Sequence, residues 1–195
     1  MAETFDTATG GWAVADGTAP APAKNASKAD VVAWLYRRHH KKVFALALRY
    51  GCGDRAFAED VVQDVFIRLI NAQERLRDAD DLGGWLHRVT ANCALNKLRN
   101  ERVRGLLRLQ WLRSDDVSEG RQDKLVDVKD QHRALMIAIR ALPPKERIAL
   151  VMHRVDGATQ DEIGVVLGHN KSAICKILQR AEARLRAAGV EVDHG

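Results

Sequence analysis

The sequence predicts an all-α protein of two small helical domains joined by a flexible linker. Two features carry this. The stretch 142–186 reads as a short capped helix, a glycine turn and a second helix with a basic exposed face, which is the pattern of a helix-turn-helix. Ahead of it, three long segments repeat apolar residues at helical spacing between capping and glycine signals. At 195 residues the chain has room for two small domains, each large enough to bury a core.

Residues 1–27 are rich in Ala, Thr, Gly and Pro and show no periodicity. Such a segment buries too little apolar surface to offset its ordering entropy, so a disordered N-terminal extension is expected, with Phe5 and Trp12 as its only anchors. The first domain is placed at 28–102. Ser27 and Asp30 form a capping-box-like pair before a helix to about Tyr50, with Val32, Leu35, Tyr36, Val43, Leu46, Ala47 and Tyr50 on one side. The basic run from Arg37 to Lys42 marks a solvated face. His39 and His40 are accordingly read as surface residues and not as metal ligands, since no carboxylate or cysteine sits at ligand spacing beside them.

Gly51 and Gly53 break that helix and Asp54 caps the next. Val61, Val62, Val65, Phe66, Leu69 and Ile70 form its apolar stripe. The opposite face carries Glu59, Asp60, Gln63 and Asp64, where the like-charge pair Asp60/Asp64 costs a few tenths of a kcal/mol. This patch is either an ordinary solvated face or a docking surface for a basic partner. A third helix follows Gly83-Gly84 over 85–102. At 100° per residue Arg88, Asn92, Asn96 and Arg99 fall within about 80° of one another. Trp85, Leu86, Val89, Cys93, Ala94 and Leu98 offer packing around this polar stripe, whose amide and guanidinium groups suit both phosphates and base edges. Two mid-helix asparagines are poor for propensity, which points to a role beyond helix formation.

The linker is placed at 103–129. Its second half is polar, but Leu106, Leu107, Leu109, Trp111 and Leu112 are too apolar for a free tether and should extend the first domain's packing or meet a partner. The second domain is placed at 130–187, with a tail at 188–195. Pro143 and Pro144 stop one helix and Pro144 starts the next, to about Val155. Gly157 ends it, and Thr159 with Glu162 makes a capping box for a short helix that buries Ile163, Val166 and Leu167. After Gly168, Asn170 or Ser172 caps a final helix. There Ile174, Leu178, Ala181 and Leu185 face inward, while Lys171, Lys176, Gln179, Arg180 and Arg184 stay polar.

Composition bounds the function. A hydrophobic fraction of 46% and a charged fraction of 29% describe a soluble globular protein, and a net charge of +5 is compatible with a polyanion partner. Cys52, Cys93 and Cys175 lie far apart with no ligand spacing, so reduced thiols are expected, with neither a zinc site nor a disulfide framework. No apolar run approaches the ~20 residues of a membrane span. The N-terminus, with Glu3 and Asp6, does not read as a signal peptide, so a cytoplasmic protein without membrane insertion is expected. No nucleophile–base pair, phosphate loop or metal cluster is visible, so no catalytic residue, cofactor or small-molecule substrate is expected.

The segments LYRRHHKKVFALALRY, AEDVVQDVFIRLI, GGWLHRVTANCALNKLRN and LPPKERIALVMHRVDGATQDEIGVVLG occur in that order. Together they resemble a bacterial RNA polymerase sigma factor of the sigma-70 family, extracytoplasmic-function (ECF) group, over about 30–102 and 130–187. The resemblance implies that the first domain is region 2 and the second region 4. It implies that Glu59, Asp60, Gln63 and Asp64 dock on a coiled coil of the core polymerase. It assigns melting and reading of the −10 promoter element to the loop from Arg77 to Leu82, with Arg77 and Asp80, and to Arg88, Asn92, Asn96 and Arg99. By the same resemblance Lys171, Ser172, Lys176, Gln179 and Arg180 read the −35 element as duplex, and an anti-sigma factor is a partner. The final helix departs from the family pattern at Ala173, Cys175 and Ile177, and His169 stands where an apolar residue is usual. The alternative from another class is a stand-alone helix-turn-helix regulator whose first domain dimerises or senses.

Overall fold

The computed structural model describes residues 27–76, 82–111 and 128–190, and among these all regular structure is helical. Helix α1 (Lys28–Tyr50) starts at Ser27, whose Oγ accepts from the Asp30 N–H at 3.2 Å and donates to the Asp30 carboxylate at 2.7 Å. Helix α2 (Arg55–Leu76) is entered through Asp54, whose carboxylate accepts from Phe57 N–H at 3.0 Å. Helix α3 covers Leu82–Trp111 and so runs nine residues past 102, through the stretch read as the apolar start of the linker. The remaining helices are α4 (Val128–Ala141), α5 (Pro144–Arg154), α6 (Gln160–Leu167) and α7 (Lys171–Ala187). Phe5, Trp12, Arg77, Asp80 and Leu112 lie outside the described residues.

Helices α1–α3 form a three-helix bundle whose core holds Leu35, Val43, Leu46, Ala47 and Tyr50 from α1, Val61, Val65, Phe66 and Leu69 from α2, and Leu86, Ala94, Leu95 and Leu98 from α3. Tyr36 and Ile70, assigned to apolar stripes, are 45% and 38% exposed and rim this core instead. His39, read as a surface residue, is buried at 6% exposure. The reason is position: it lies four residues from both Leu35 and Val43, on the inward side of α1, while the basic run around it winds across both faces. A second buried histidine, His87, pairs its Nε2 with the Tyr50 hydroxyl at 2.9 Å and so ties α1 to α3.

In the second module α6 and α7 pack on α5, with Ile148, Met152, Ile163 and Ile174 fully buried. Helix α4 lies on this group through a small cluster of Ala138, Leu142, Leu150, Ala181 and Leu185. The two modules are not held apart as beads on a string. Helix α3 packs on α5 and α6, α1 packs on α5, and one apolar cluster runs unbroken from the bundle into the helix-turn-helix.

Three buried titratable groups make this structure pH-dependent. Desolvation, with the Arg38 and Lys42 charges, lowers His39 to about 4, and desolvation, with Arg49 and Lys42, lowers His87 to about 4. Desolvation raises Asp156 to about 6, against the opposing charge of Arg49. A histidine whose folded pKa is depressed takes its proton first in the unfolded chain, so stability falls as pH drops from about 6.5 toward 4. Asp156 acts oppositely, since its folded form takes the proton first, and it adds stability as pH drops from about 6 toward 3.8. Between pH 7.5 and pH 5 each histidine removes about 2 kcal/mol and Asp156 returns about 1 kcal/mol. A net loss of roughly 3 kcal/mol is expected in denaturant titrations at the two pH values, and Asp156→Asn should deepen it by about 1 kcal/mol. Equal stability at both pH values would contradict this.

Candidate functional site

Helix α2 directs its apolar stripe into the bundle, which turns Glu59, Asp60, Gln63 and Asp64 to solvent, and all four are exposed. The face is not free-standing, because Lys97 of α3 reaches across and ion-pairs with Asp60. On α3, Arg88, Asn96 and Arg99 are exposed and Asn92 is half-buried, as the helical register of the stripe requires.

Packing of α2 against α3 brings part of both predicted sets together. A groove of about 480 Å³ is lined by Asp64 of the acidic face and by Asn96 and Arg99 of the stripe. Arg68, Lys97, Asn100 and Arg104 line it too, and sequence reasoning passed them over. Its floor is Cys93, buried, with Arg68 Nη1 donating to its sulfur at 2.8 Å. Desolvation by burial pushes the Cys93 thiol up to about 11, so it is an inert neutral group here. The excess of guanidinium and ammonium groups over carboxylates suits a polyanion, and the asparagine amides add donors and acceptors of the kind that read base edges. Lys97 was legible as the cation next to Asn96, but only tertiary packing puts Arg68 in the same groove.

In the helix-turn-helix the local rules act together. Thr159 Oγ1 accepts from Glu162 N–H at 3.3 Å while the Glu162 carboxylate accepts from Thr159 N–H at 2.7 Å, the reciprocal capping box that starts α6. Gly168 ends α6 in the left-handed region at φ 70°, and His169 N–H then donates to Gly164 O at 2.9 Å. A Cβ on Gly164 would lie 2.5 Å from the His169 carbonyl oxygen, so this tight turn requires glycine there. Asn170 is the cap of α7, its side chain accepting from Ala173 N–H at 2.8 Å.

Lys171, Ser172, Lys176, Gln179 and Arg180 are all exposed on α7. Lys171 makes an exposed ion pair with Asp161 of α6 at 2.9 Å, which joins the two helices of the motif. Two of the residues that depart from the family pattern make contacts inside the module. Ile177 packs against the core cluster, and the His169 ring meets Lys145 Nζ at 2.9 Å. Arg154 and Glu182, 2.8 Å apart, brace α5 against α7 behind the exposed face. Among the described residues no group of three or more His, Cys, Asp or Glu side chains could hold a metal ion, and no helix is long and apolar enough to cross a membrane.

Comparison with known proteins matches both modules. The family model for sigma-70 region 2 matches residues 35–104, and that for sigma-70 region 4 matches residues 132–185. The ECF RNA polymerase sigma factor SigE of Mycolicibacterium smegmatis is 30% identical over 156 residues, covering 78% of this chain and 59% of that protein. The "Probable ECF RNA polymerase sigma factor SigI" of Mycobacterium tuberculosis is 32% identical over 176 residues, covering 85% of this chain and 59% of that protein. The chain thus spans under two thirds of the length of these relatives. Among solved structures, the sigma factor RpoE in complex with the anti-sigma factor NepR from Bartonella quintana is similar with a TM-score of 0.52 at 22% identity, over 80% of this chain and 93% of that one. CnrH in complex with the cytosolic domain of CnrY is similar with a TM-score of 0.51 at 23% identity, over 82% and 87%.

Proposed function

Because the chain belongs to the sigma-70 family, and within it to the ECF group, we propose that it is a promoter-specificity subunit that recruits core RNA polymerase and directs where transcription starts. The observation that carries this reading is the collinear pair of modules, each presenting the polar face its role needs to solvent. Module 28–102, with α3 extending it, docks on the polymerase through Glu59, Asp60, Gln63 and Asp64. Its stripe Arg88, Asn92, Asn96 and Arg99, with Arg77 and Asp80, holds the −10 element as single strand, where unstacking costs a few kcal/mol, offset by protein contacts. Module 130–187 reads the −35 duplex with Lys171, Ser172, Lys176, Gln179 and Arg180 from α7 in the major groove.

The phosphodiester chemistry belongs to the polymerase, so the chain acts without a catalytic residue or cofactor of its own, in the cytoplasm where the polymerase works. An anti-sigma factor is the expected protein regulator, by analogy with the similar RpoE, which was solved bound to the anti-sigma factor NepR. Adding the purified chain to core polymerase should yield run-off transcripts from a subset of promoters, with DNA binding by the free chain weak and strongly salt-sensitive. Tight, specific binding to a palindromic duplex without polymerase would instead identify a stand-alone regulator.

A further inference from the structure

One ion pair joins two surfaces assigned to different partners. Asp60 belongs to the acidic face of α2, while Lys97 of α3 lines the groove beside Asn96 and Arg99 of the stripe. Lys97 Nζ donates to Asp60 Oδ2, so the ammonium is bound at the docking face although its residue lines the groove. Helices α2 and α3 run antiparallel here, because Asp60 meets Lys97 and, further along α2, Arg68 meets Cys93, earlier in α3. This spaces the cations Lys97 and Arg68 along the groove.

Four cations, Arg68, Lys97, Arg99 and Arg104, line the groove against two carboxylates, Asp64 and Glu101. Among the ion pairs of the described residues, Lys97 is the one of these four that is matched to a carboxylate. A carboxylate beside an ammonium cancels its field toward a phosphate, so a paired Lys97 releases no counterion when DNA binds.

We propose that Asp60 withholds Lys97 from the promoter strand in the free chain, and that docking on core polymerase, whose basic groups take over Asp60, releases Lys97 to a backbone phosphate in the groove. The inference rests on the docking and promoter readings above. Exposure decides how the exchange runs. The Asp60 side chain is 58% exposed and open to an incoming cation, whereas Lys97, at 24%, is mostly covered and has only to rotate its ammonium on a flexible stem. The pair is weak enough to exchange, since an ion pair this open to solvent shifts an equilibrium by no more than about fivefold. The coupling is reciprocal: a phosphate that holds Lys97 leaves Asp60 free, so DNA strengthens docking by the same factor with which docking strengthens DNA binding.

The test uses the full chain and a short fluorescent single-stranded oligonucleotide, followed by anisotropy at several salt concentrations. Asp60→Asn should raise the affinity of the free chain for the strand about two- to fivefold and steepen the log–log salt slope by about 0.7, the increment of one added phosphate contact on a single strand. The gain should vanish when Lys97→Ala is also present, because no ammonium is left to release. Lys97→Ala alone should cost the complex with core polymerase several-fold in strand affinity and the free chain much less. It should also tighten binding of the chain to core polymerase by up to about fivefold, since Asp60 is then unpaired. Lys97→Met keeps the stem and removes only the charge, and it serves if the alanine variant loses helical circular dichroism. A gain from Asp60→Asn that persists in full alongside Lys97→Ala would overturn the proposal, because it would come from the general loss of negative charge near the DNA. So would a Lys97→Ala defect of equal size with and without polymerase. If the wild-type chain binds no core polymerase, the docking reading itself fails, an outcome distinct from a chain that binds polymerase and shows no gain dependent on Lys97.

Discussion

Reversing both Asp60 and Asp64 to lysine is expected to weaken binding to core RNA polymerase at least a hundredfold while the chain stays folded. The structure sharpens the balance of terms. Asp60 is ion-paired with Lys97 but is itself 58% exposed, so losing that pair costs no more than about 1 kcal/mol, and a lysine at 60 can swing into solvent away from Lys97. The new like-charge pair at i,i+4 merely replaces the old one. Across a docking interface the arithmetic differs, because lysines set against a basic polymerase surface meet like charge at close range, a mismatch of several kcal/mol. At about 1.4 kcal/mol per factor of ten, that exceeds a hundredfold. Asp60→Asn with Asp64→Asn separates lost attraction from added repulsion and should lie between wild type and the reversal. A helical double reversal that binds core polymerase as wild type does would remove the docking role from this face.

The helix-turn-helix was legible almost residue by residue because its determinants are local. The Thr159/Glu162 capping box forms with both hydrogen bonds present, Gly168 takes the left-handed cap, and Ile174, Leu178, Ala181 and Leu185 are the buried residues of α7. The acidic face and the Arg/Asn stripe were legible for the same reason, since helical spacing fixes which residues share a side. What the sequence hid is tertiary. His39 sits within a basic run whose average polarity outweighs the one inward position it occupies. The groove joining Arg68 and Arg104 to Asn96 and Arg99 exists only because α2 packs on α3. The contact between the two modules includes Arg140 and Arg147, whose receptors are the backbone carbonyls of Cys52 and Tyr50 nearly a hundred residues away, and no side-chain pattern marks a carbonyl as a receptor. The sequence reading also ended α3 near 102, yet the helix continues to Trp111 through Gly105, a glycine that costs only about 1 kcal/mol relative to alanine.

Replacing Asn92 and Asn96 together by alanine is expected to cut open-complex formation roughly ten- to a hundredfold, with recruitment to the closed complex nearly unchanged. Folding should not suffer, because alanine is the better helix former at both positions and Asn96 is exposed. What is lost is the donor–acceptor pair of each amide, of the kind that discriminates a base edge by about 1–3 kcal/mol. Arg99 and Lys97 remain beside position 96 in the groove, so attraction to the phosphate backbone, and with it salt-dependent recruitment, is retained. The defect should therefore sit in the step where strands separate and an unpaired base must be held. A template already melted over the −10 element removes that step's unstacking cost and should restore a large part of the rate. Permanganate footprinting of open complexes on duplex and pre-melted templates, set against filter binding of closed complexes in the cold, measures the two steps separately. A variant equally impaired on both templates would mean that the stripe does not hold unpaired strand and that Asn92 and Asn96 act in recruitment instead.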